Sequence, residues 1–253
     1  MGLEIERRFL VQGSGWRSRV CWQARLRQGY LRSDPDGFTL RVRLSQSLAS
    51  PPAFPGAGPV PKPAGWLSEP DGPLPSAAPA ERAWLTLKAA PPLVSPDDIS
   101  GQDQAAYQRP CPAESADAGA AAAEPSRGPA AQALTRLEFE YPIPLADGEQ
   151  LLALTGRRLE KCRYGLDLAG GDWVVDVFEA ENAPLVVAEV ELPHAAAQLR
   201  LPDWCGIELT GWHQLSNAAL AARPLGHWSA WAREALLAGQ VDWQGGLSGE
   251  DRG

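Results

Sequence analysis

Charged and apolar side chains alternate along the first strand-like segment of the chain. In an extended strand, Glu4, Glu6 and Arg8 fall on one face, and the apolar Ile5 and Phe9 fall on the other. Taken alone, this pattern is typical of a strand with one solvated face and one buried face. Its recurrence later in the chain changes the interpretation.

The same spacing, two charged residues around one neutral or apolar residue, returns in four later strand-like segments. The pairs are Arg41 with Arg43, Glu138 with Glu140, Lys161 with Arg163, and Glu189 with Glu191. Like charges two residues apart on a solvated face repel each other modestly. Acidic and basic pairs on several strands therefore predict one shared polar interior, such as that of a closed barrel of about eight strands.

The alternating segments predict a mainly β (α+β) protein. The predicted strands cover 2–11, 25–32, 38–45, 83–90, 134–144, 157–168, 172–180 and 185–192. A short helix is predicted over 147–156, because Asp147 stands near its start and Gly156 just past its end. Two further helices are predicted over 210–223 and 225–239. The expected architecture is an eight-stranded closed barrel with a few peripheral and C-terminal helices.

Two segments rich in Pro, Ala, Gly and Ser interrupt this pattern, at 46–81 and 89–133. Such compositions cannot bury enough apolar area to offset the entropy of ordering, so both are predicted to be low-complexity, disordered or loosely packed insertions. A lid or a partner-docking loop is the alternative interpretation. The predicted organisation is one domain over 1–223 with these insertions, a C-terminal helix over 224–243 and a disordered tail over 244–253.

Composition narrows the class of protein. The net charge of −8 over 253 residues argues against a general nucleic-acid binder, which would show a basic face. The four cysteines are widely spaced and predict neither a disulfide framework nor a zinc site, as expected in a reducing cytosol. No apolar run approaches the roughly 20 residues that span a bilayer, and no signal peptide is recognisable. We therefore expect a cytoplasmic protein without a membrane partner.

The predicted interior combines seven acids with seven bases. The acids are Glu4, Glu6, Glu138, Glu140, Asp176, Glu189 and Glu191, and the bases are Arg8, Arg41, Arg43, Lys88, Arg136, Lys161 and Arg163. Buried charges are strongly unfavourable unless they are paired or ligated. Clustered carboxylates suit Mg²⁺ or Mn²⁺, and Arg and Lys suit phosphate oxygens. A lattice of structural salt bridges is the alternative.

The motifs resemble a known family. Glu4-x-Glu6-x-Arg8 resembles the E-x-E-x-K signature that opens the CYTH domain of the triphosphate tunnel metalloenzymes. Further matches follow in order: Gln28-Gly29-Tyr30-Leu31, Arg41-Val42-Arg43, Leu85-Thr86-Leu87-Lys88, Glu138-x-Glu140, Glu160-Lys161-Cys162-Arg163-Tyr164, Asp176-Val177-Phe178, Glu189-x-Glu191 and Asn217. The resemblance covers 2–45, 82–90 and 134–222, outside the two insertions.

The resemblance implies an antiparallel tunnel that hydrolyses triphosphate with Mg²⁺ or Mn²⁺. Inorganic triphosphate is the leading expected substrate. The resemblance also implies a homodimer. It implies that the seven acids bind metal or its water and that the seven bases bind phosphate. Lys88 is the candidate to orient or deprotonate the attacking water. Arg8 and Tyr30 complete the predicted catalytic set. Tyr30 would influence access to the metal, and the alternative is that it only packs on the barrel.

Two departures from the family pattern bear on activity and specificity. Arg8 stands where the family has Lys, which preserves charge but removes a group that could be tuned as a base. Residues 209–217 lack an acid, an Arg and a Tyr that related proteins often show, so substrate choice is open. The alternatives are a class IV type adenylyl cyclase or a thiamine triphosphatase with the same tunnel, and a non-catalytic polyphosphate-binding module.

Overall fold

The computed structural model describes residues 2–34, 37–48, 81–90, 134–195 and 197–241. These residues form strands β1 Gly2–Val11, β2 Val20–Ser33, β3 Thr39–Ser47, β4 Glu81–Ala89, β5 Leu134–Ile143, β6 Arg158–Leu166, β7 Asp172–Phe178, β8 Val186–Glu191 and β9 Cys205–Glu208. They also form helices α1 Leu145–Ala153, α2 Asn217–Ala222 and α3 Ala230–Leu237. Short 3-10 turns lie at Gly15–Arg19, Ala180–Asn182, His213–Leu215 and Leu225–His227.

Eight of these strands form a closed antiparallel barrel. The order is β5-β4-β3-β2-β6-β7-β8-β1, and pairing between β1 and β5 closes the ring. The first half of β1 pairs with β5, and its second half pairs with β8 and with the short β9. Closure leaves the eight barrel strands without a free edge. The predicted barrel of eight antiparallel strands is confirmed.

The apolar faces of the strands point away from the barrel axis and are covered from outside. On β1, β7 and β8, Phe9, Trp173 and Val190 form a buried cluster with Trp16, and residues 197–205 pack against it. On β3 and β4, a second buried cluster includes Leu152 of α1. Burial of apolar area, the main driving force for folding, therefore takes place between the barrel wall and its outer covers.

One end of the barrel interior is apolar and is filled by the C-terminal part of the chain. Leu10 shares a strand face with Glu4, Glu6 and Arg8, and packs with residues of β6, β7 and β8. The C-terminal plug, residues 207–237, completes this cluster with Leu209, Leu215, Leu220, Leu225 and Leu236, all almost fully buried. The interior is thus apolar at the plug and charged beyond it.

The predicted helix over 210–223 is wrong in its first half. Gly211 adopts a left-handed backbone with φ of 79°, which interrupts a right-handed helix. Ser216 then caps α2 by accepting a hydrogen bond from the Ala219 amide (3.1 Å). Ser229 caps α3 in the same way, so the helix predicted over 225–239 begins only at Ala230.

Several strand boundaries also differ from the predictions. Strand β2 begins at Val20 rather than at residue 25, and β9 was not predicted. Strand β3 extends to Ser47 and β4 begins at Glu81, within the ends of the first predicted insertion. The remaining insertion residues and the tail over 244–253 lie almost entirely outside the described residues, so the predicted domain organisation stays a prediction.

No helix in the described part of the chain combines the length and apolar character needed to cross a bilayer.

The plug yields a stability prediction. Leu220 is fully buried in it, so Leu220→Ala should lower the free energy of unfolding by about 2–5 kcal/mol through lost apolar burial and a residual cavity. Leu154 is 77% exposed, and the matched change Leu154→Ala should alter this free energy by less than about 0.5 kcal/mol. Urea unfolding followed by circular dichroism measures both. Equal effects would contradict a tightly packed plug.

Candidate active site

The charged strand faces enclose a cavity of about 1210 Å³ inside the barrel. All eight barrel strands and residues of the 211–218 segment line it. Of the residues predicted for the site, the lining contains Glu4, Glu6, Arg8, Tyr30, Arg41, Arg43, Lys88, Arg136, Glu138, Glu140, Arg163, Glu189 and Glu191. Strand alternation thus brings residues far apart in sequence to one surface, large enough for a small charged ligand.

Lys161 and Asp176 are placed differently from the other predicted site residues. Both side chains are fully buried, and neither belongs to the cavity lining. The Lys161 ammonium donates to Asp176 Oδ2 (2.5 Å) and to Asn217 Oδ1 (3.1 Å) of α2. Burial lowers the pKa of Lys161 to about 8, although Asp176 opposes this shift. Their roles as phosphate and metal ligands stay predictions.

Most charges that line the cavity are paired with one another. Lys88 Nζ lies 2.5 Å from Glu4 Oε2 and 3.3 Å from Glu138 Oε2. Arg163 donates to Glu189 Oε2 (2.6 Å) and makes two bonds to Asp176 (2.7 Å each). These pairs form the salt-bridge lattice that was the alternative to a ligand site.

A second group of pairs joins β3, β4 and β5. Arg43 Nη2 donates to Glu140 Oε1 (2.6 Å), and the Thr86 hydroxyl donates to the same oxygen (2.9 Å). Arg41 Nη2 lies 3.3 Å from Glu138 Oε1. Burial alone would raise the pKa of Glu140, but Arg43 and Arg41 outweigh it and lower that pKa. Glu140 is therefore held as a carboxylate.

The lattice is incomplete on its basic side. Arg8 Nη2 and Arg41 Nε are buried and have no hydrogen-bond partner among the residues that the structure describes. Arg136 also lines the cavity, and it lies opposite Glu4 in the β1–β5 pair. Buried donors without acceptors are costly. The site therefore has capacity for an additional anion.

The lattice is also incomplete on its acidic side. Glu6 lies directly opposite Glu191 in the β1–β8 pair, and Glu191 lies opposite Asp172 in the β7–β8 pair. Facing like charges destabilise a sheet. Burial raises the pKa of Glu6, and the Glu189 and Glu4 carboxylates add to the effect. Burial and Glu4 likewise raise the pKa of Glu191.

These carboxylates fit a hard divalent cation in their chemistry. They supply oxygen ligands only, and the like-charge repulsion at Glu6 and Glu191 is the repulsion that a cation would relieve. In the described ranges, however, no three Asp, Glu, His or Cys side chains are grouped closely enough to hold an ion as they stand. The acidic face must therefore rearrange its side chains to coordinate one.

The pKa of Lys88 bears on its two predicted roles, to orient or to deprotonate the attacking water. Burial lowers this pKa, but Glu4 and Glu138 outweigh burial, and the net shift is upward. Lys88 is therefore protonated at neutral pH in this arrangement. It is suited to donate to a phosphate oxygen or a water rather than to accept a proton.

The position of Tyr30 is compatible with both of its predicted roles, which stay predictions. It is almost fully buried in the apolar cluster of the plug, and it also lines the cavity. Burial raises the pKa of its phenol, so the phenol stays neutral. Arg41 is the charged residue that opposes this shift most strongly. The tyrosine thus packs on the barrel where the plug meets the charged interior.

The predicted set of site residues left out polar residues of this region, among them Asp172 and Thr86. Asp172 lines the cavity opposite Glu191, and Thr86 is buried and donates to Glu140. Both follow from the alternation that identified the others, because Asp172 shares a strand face with Asp176, and Thr86 shares one with Lys88.

The chain is similar in sequence to curated inorganic triphosphatases, although no protein-family model matches it. One from Acetivibrio thermocellus is 40% identical over 93 residues, which cover 36% of this chain and 60% of that protein. One from Nitrosomonas europaea is 41% identical over 92 residues, which cover 35% of this chain and 61% of that protein. The match therefore spans about three fifths of the length of these curated relatives.

A solved structure of an inorganic triphosphatase aligns with 87% of this chain and 95% of its own, at 26% identity and a TM-score of 0.42. The barrel is established independently of that superposition, by the strand pairings of the chain itself. The curated relatives and the motifs agree. The resemblance to the CYTH-like triphosphate tunnel proteins is confirmed, and the chain is similar to inorganic triphosphatases over the matched 92 to 93 residues.

Proposed function

We propose that the chain hydrolyses triphosphate inside the barrel with Mg²⁺ or Mn²⁺, and that inorganic triphosphate is its main substrate. The incomplete charge lattice carries this proposal. Arg8 and Arg41 have buried donors without acceptors among the residues that the structure describes, while Glu6 repels Glu189 and Glu4 nearby. A polyanion would supply acceptors for the arginine donors, and a divalent cation would neutralise the repelling carboxylates. The name that both curated relatives carry, inorganic triphosphatase, supports the same activity.

The basic residues would bind the phosphate chain. In the described part of the chain, Arg8 and Arg41 have buried donors without acceptors, and Arg136 lines the same cavity. Guanidinium groups match phosphate oxygens through paired hydrogen bonds. Arg43 and Arg163 line the same cavity and would share their carboxylate partners with phosphate. This arrangement spreads positive charge over an extended anion, which suits three linked phosphates.

Glu4, Glu6, Glu189 and Glu191 would hold the metal. A bound divalent cation supplies charge neutralisation at the phosphate oxygens during hydrolysis. Lys88, protonated beside Glu4, would donate to a phosphate oxygen and orient the attacking water.

The ion pairs couple the two ligands to each other. Lys88 with Glu4, Arg163 with Glu189 and Arg8 with Glu189 each join a predicted phosphate ligand to a predicted metal ligand. When a carboxylate turns to a cation, its basic partner is released for phosphate, and the reverse also holds. Such coupling is reciprocal by thermodynamic necessity. We therefore expect metal and triphosphate to strengthen each other's binding.

A second candidate, an organic triphosphate substrate, is favoured by the aromatic part of the lining. Trp22 and Trp84 line the cavity, and Arg43 Cζ lies 5.4 Å from the centre of the Trp84 ring. An aromatic surface beside phosphate ligands suits the ring of a nucleotide or of thiamine triphosphate. The adenylyl cyclase and thiamine triphosphatase activities are the corresponding alternatives. The cytoplasmic location, the homodimer and the lack of nucleic-acid partners stay predictions.

The primary test is a substrate panel. Purified protein with Mg²⁺ or Mn²⁺ should release orthophosphate from inorganic triphosphate faster than from ATP or thiamine triphosphate, as measured by a colorimetric phosphate assay. Cyclic AMP formed from ATP would contradict the proposal, and so would faster hydrolysis of an organic triphosphate. Tight binding of triphosphate without turnover would identify a non-catalytic binding module instead.

Substitution of Lys88 tests its place in the reaction. Lys88→Ala removes a buried donor and leaves Glu4 without its closest cation, so kcat should fall by about 100-fold or more. Arg25→Ala is the control, because Arg25 pairs with Glu160 and Glu179 and is 48% exposed outside the cavity lining. Its steady-state kinetics should match the wild type.

Glu189→Gln should weaken the dependence of the rate on Mn²⁺ concentration, because an amide oxygen is a poorer ligand than a carboxylate. Steady-state rates over a Mn²⁺ titration measure this. Unchanged kinetics in both Lys88→Ala and Glu189→Gln would refute the assignment of the cavity as the active site.

Glu6→Gln should have opposite effects with and without metal. Folding raises the pKa of Glu6 above its ordinary value of 4.5. Ionisation of Glu6 therefore makes the native state less stable as the pH rises from 4.5 through the raised pKa. At neutral pH, Glu6→Gln should therefore raise Tm in EDTA and reduce the gain in Tm on adding Mn²⁺. Thermal unfolding between pH 4.5 and 7.5 measures both effects. Glu149→Gln, at an exposed position on α1, should change neither, and a lower Tm for Glu6→Gln in EDTA would contradict the repulsion.

A further inference from the structure

Residues 208–215, which join β9 to the start of α2, hold Arg8 by its backbone and by its side chain. The Arg8 amide donates to the Thr210 hydroxyl (3.0 Å), and the Leu209 amide donates to the Arg8 carbonyl (2.8 Å). Arg8 Nη1 donates to the Leu215 carbonyl (2.9 Å). The two departures from the family pattern, Arg8 and the 209–217 segment, are thus in direct contact.

Thr210 is itself held by an ion pair. Its hydroxyl donates to Glu208 Oε1 (2.8 Å), and the Glu208 carboxylate accepts two bonds from Arg7 (2.8 and 2.7 Å). Thr210 is almost fully buried, and the side chains of Arg7 and Glu208 are only about one fifth exposed. The hydroxyl therefore uses both its donor and its acceptor capacity, which fixes its position relative to β1.

These contacts determine the direction of the Arg8 guanidinium. Its Nε donates to Glu189 (3.1 Å) and its Nη1 donates to Leu215, while its buried Nη2 has no acceptor within the described residues. A guanidinium is planar, so two fixed nitrogens also fix the third. Arg8 lines the cavity, and a Lys at this position could not present a rigid fork of this kind.

We propose that Thr210 is a positioning residue, which acts with the Leu215 carbonyl to aim Arg8 Nη2 at a phosphate oxygen of the bound triphosphate. The 208–215 segment then sets the affinity for the anion through Arg8, and Thr210 itself does not contact the anion. This inference rests on the proposed function, because it takes triphosphate as the ligand. It assigns the arginine at position 8 and the altered segment to one recognition unit.

The test compares Thr210→Val, which keeps the shape but removes the hydroxyl, with Thr210→Ser, which keeps the hydroxyl. Thr210→Val should raise KM for inorganic triphosphate about five- to tenfold, and kcat should stay within about twofold, since one aligned hydrogen bond is lost. Thr210→Ser should restore KM to near the wild-type value. Calorimetric titration of each metal-free full-length protein with tripolyphosphate should show the same order of Kd.

Ser229→Ala is the matched control for loss of stability in the plug. It removes a capping hydroxyl from α3, outside the cavity lining, so Tm should fall while KM and Kd stay at wild-type values. If Thr210→Val lowers Tm but leaves KM and Kd unchanged, its role is structural and the inference is overturned.

Arg8→Lys provides the test if Thr210→Val does not fold. It retains the charge but loses the fork, so tripolyphosphate binding should weaken about tenfold, and unchanged binding overturns the inference. A wild-type protein that neither binds nor hydrolyses tripolyphosphate would overturn the proposed function as well. Wild-type binding with unaffected variants would overturn only the positioning role.

Discussion

The pairing of buried charges inside a closed barrel is the constraint on which the rest of this structure depends. Closure through β1 and β5 sets Glu4 opposite Arg136, and the β1–β8 register sets Arg8 opposite Glu189. Charges removed from water need partners, and most find one across the barrel. Among the described residues, a minority on both the acidic and the basic side do not, and on these the proposed binding of a metal and an anion rests.

A charged interior forces the apolar faces outward, where they need cover. Helix α1 covers β3 and β4, while Trp16 and residues 197–205 cover β1, β7 and β8. The C-terminal plug closes one end of the barrel with leucines and supplies polar contacts to Arg8 and Lys161. The same segment therefore stabilises the fold and shapes the site, and its substitutions have to be interpreted for both effects.

The barrel strands could be predicted because alternation is a local property. Side chains on a strand point to opposite faces whatever its partners are, so Arg41 and Arg43, or Glu138 and Glu140, were placed on one face without knowledge of the fold. The C-terminal helices were less predictable. A left-handed Gly211 and the cap at Ser216 shorten α2, and β9 is a four-residue strand whose pairing with β1 carries no clear local pattern.

The sequence by itself determined which residues face the interior and, through the motifs, the resemblance to the triphosphate tunnel proteins. Only the tertiary structure decided how these charges are paired: Lys88 with Glu4, Lys161 sequestered by Asp176, and Arg8 held by Leu215. The physical reason is distance along the chain. Lys88 and Glu4 are 84 positions apart, and Arg8 and Leu215 are 207 apart, so strand register and barrel closure, rather than local preference, select the partners.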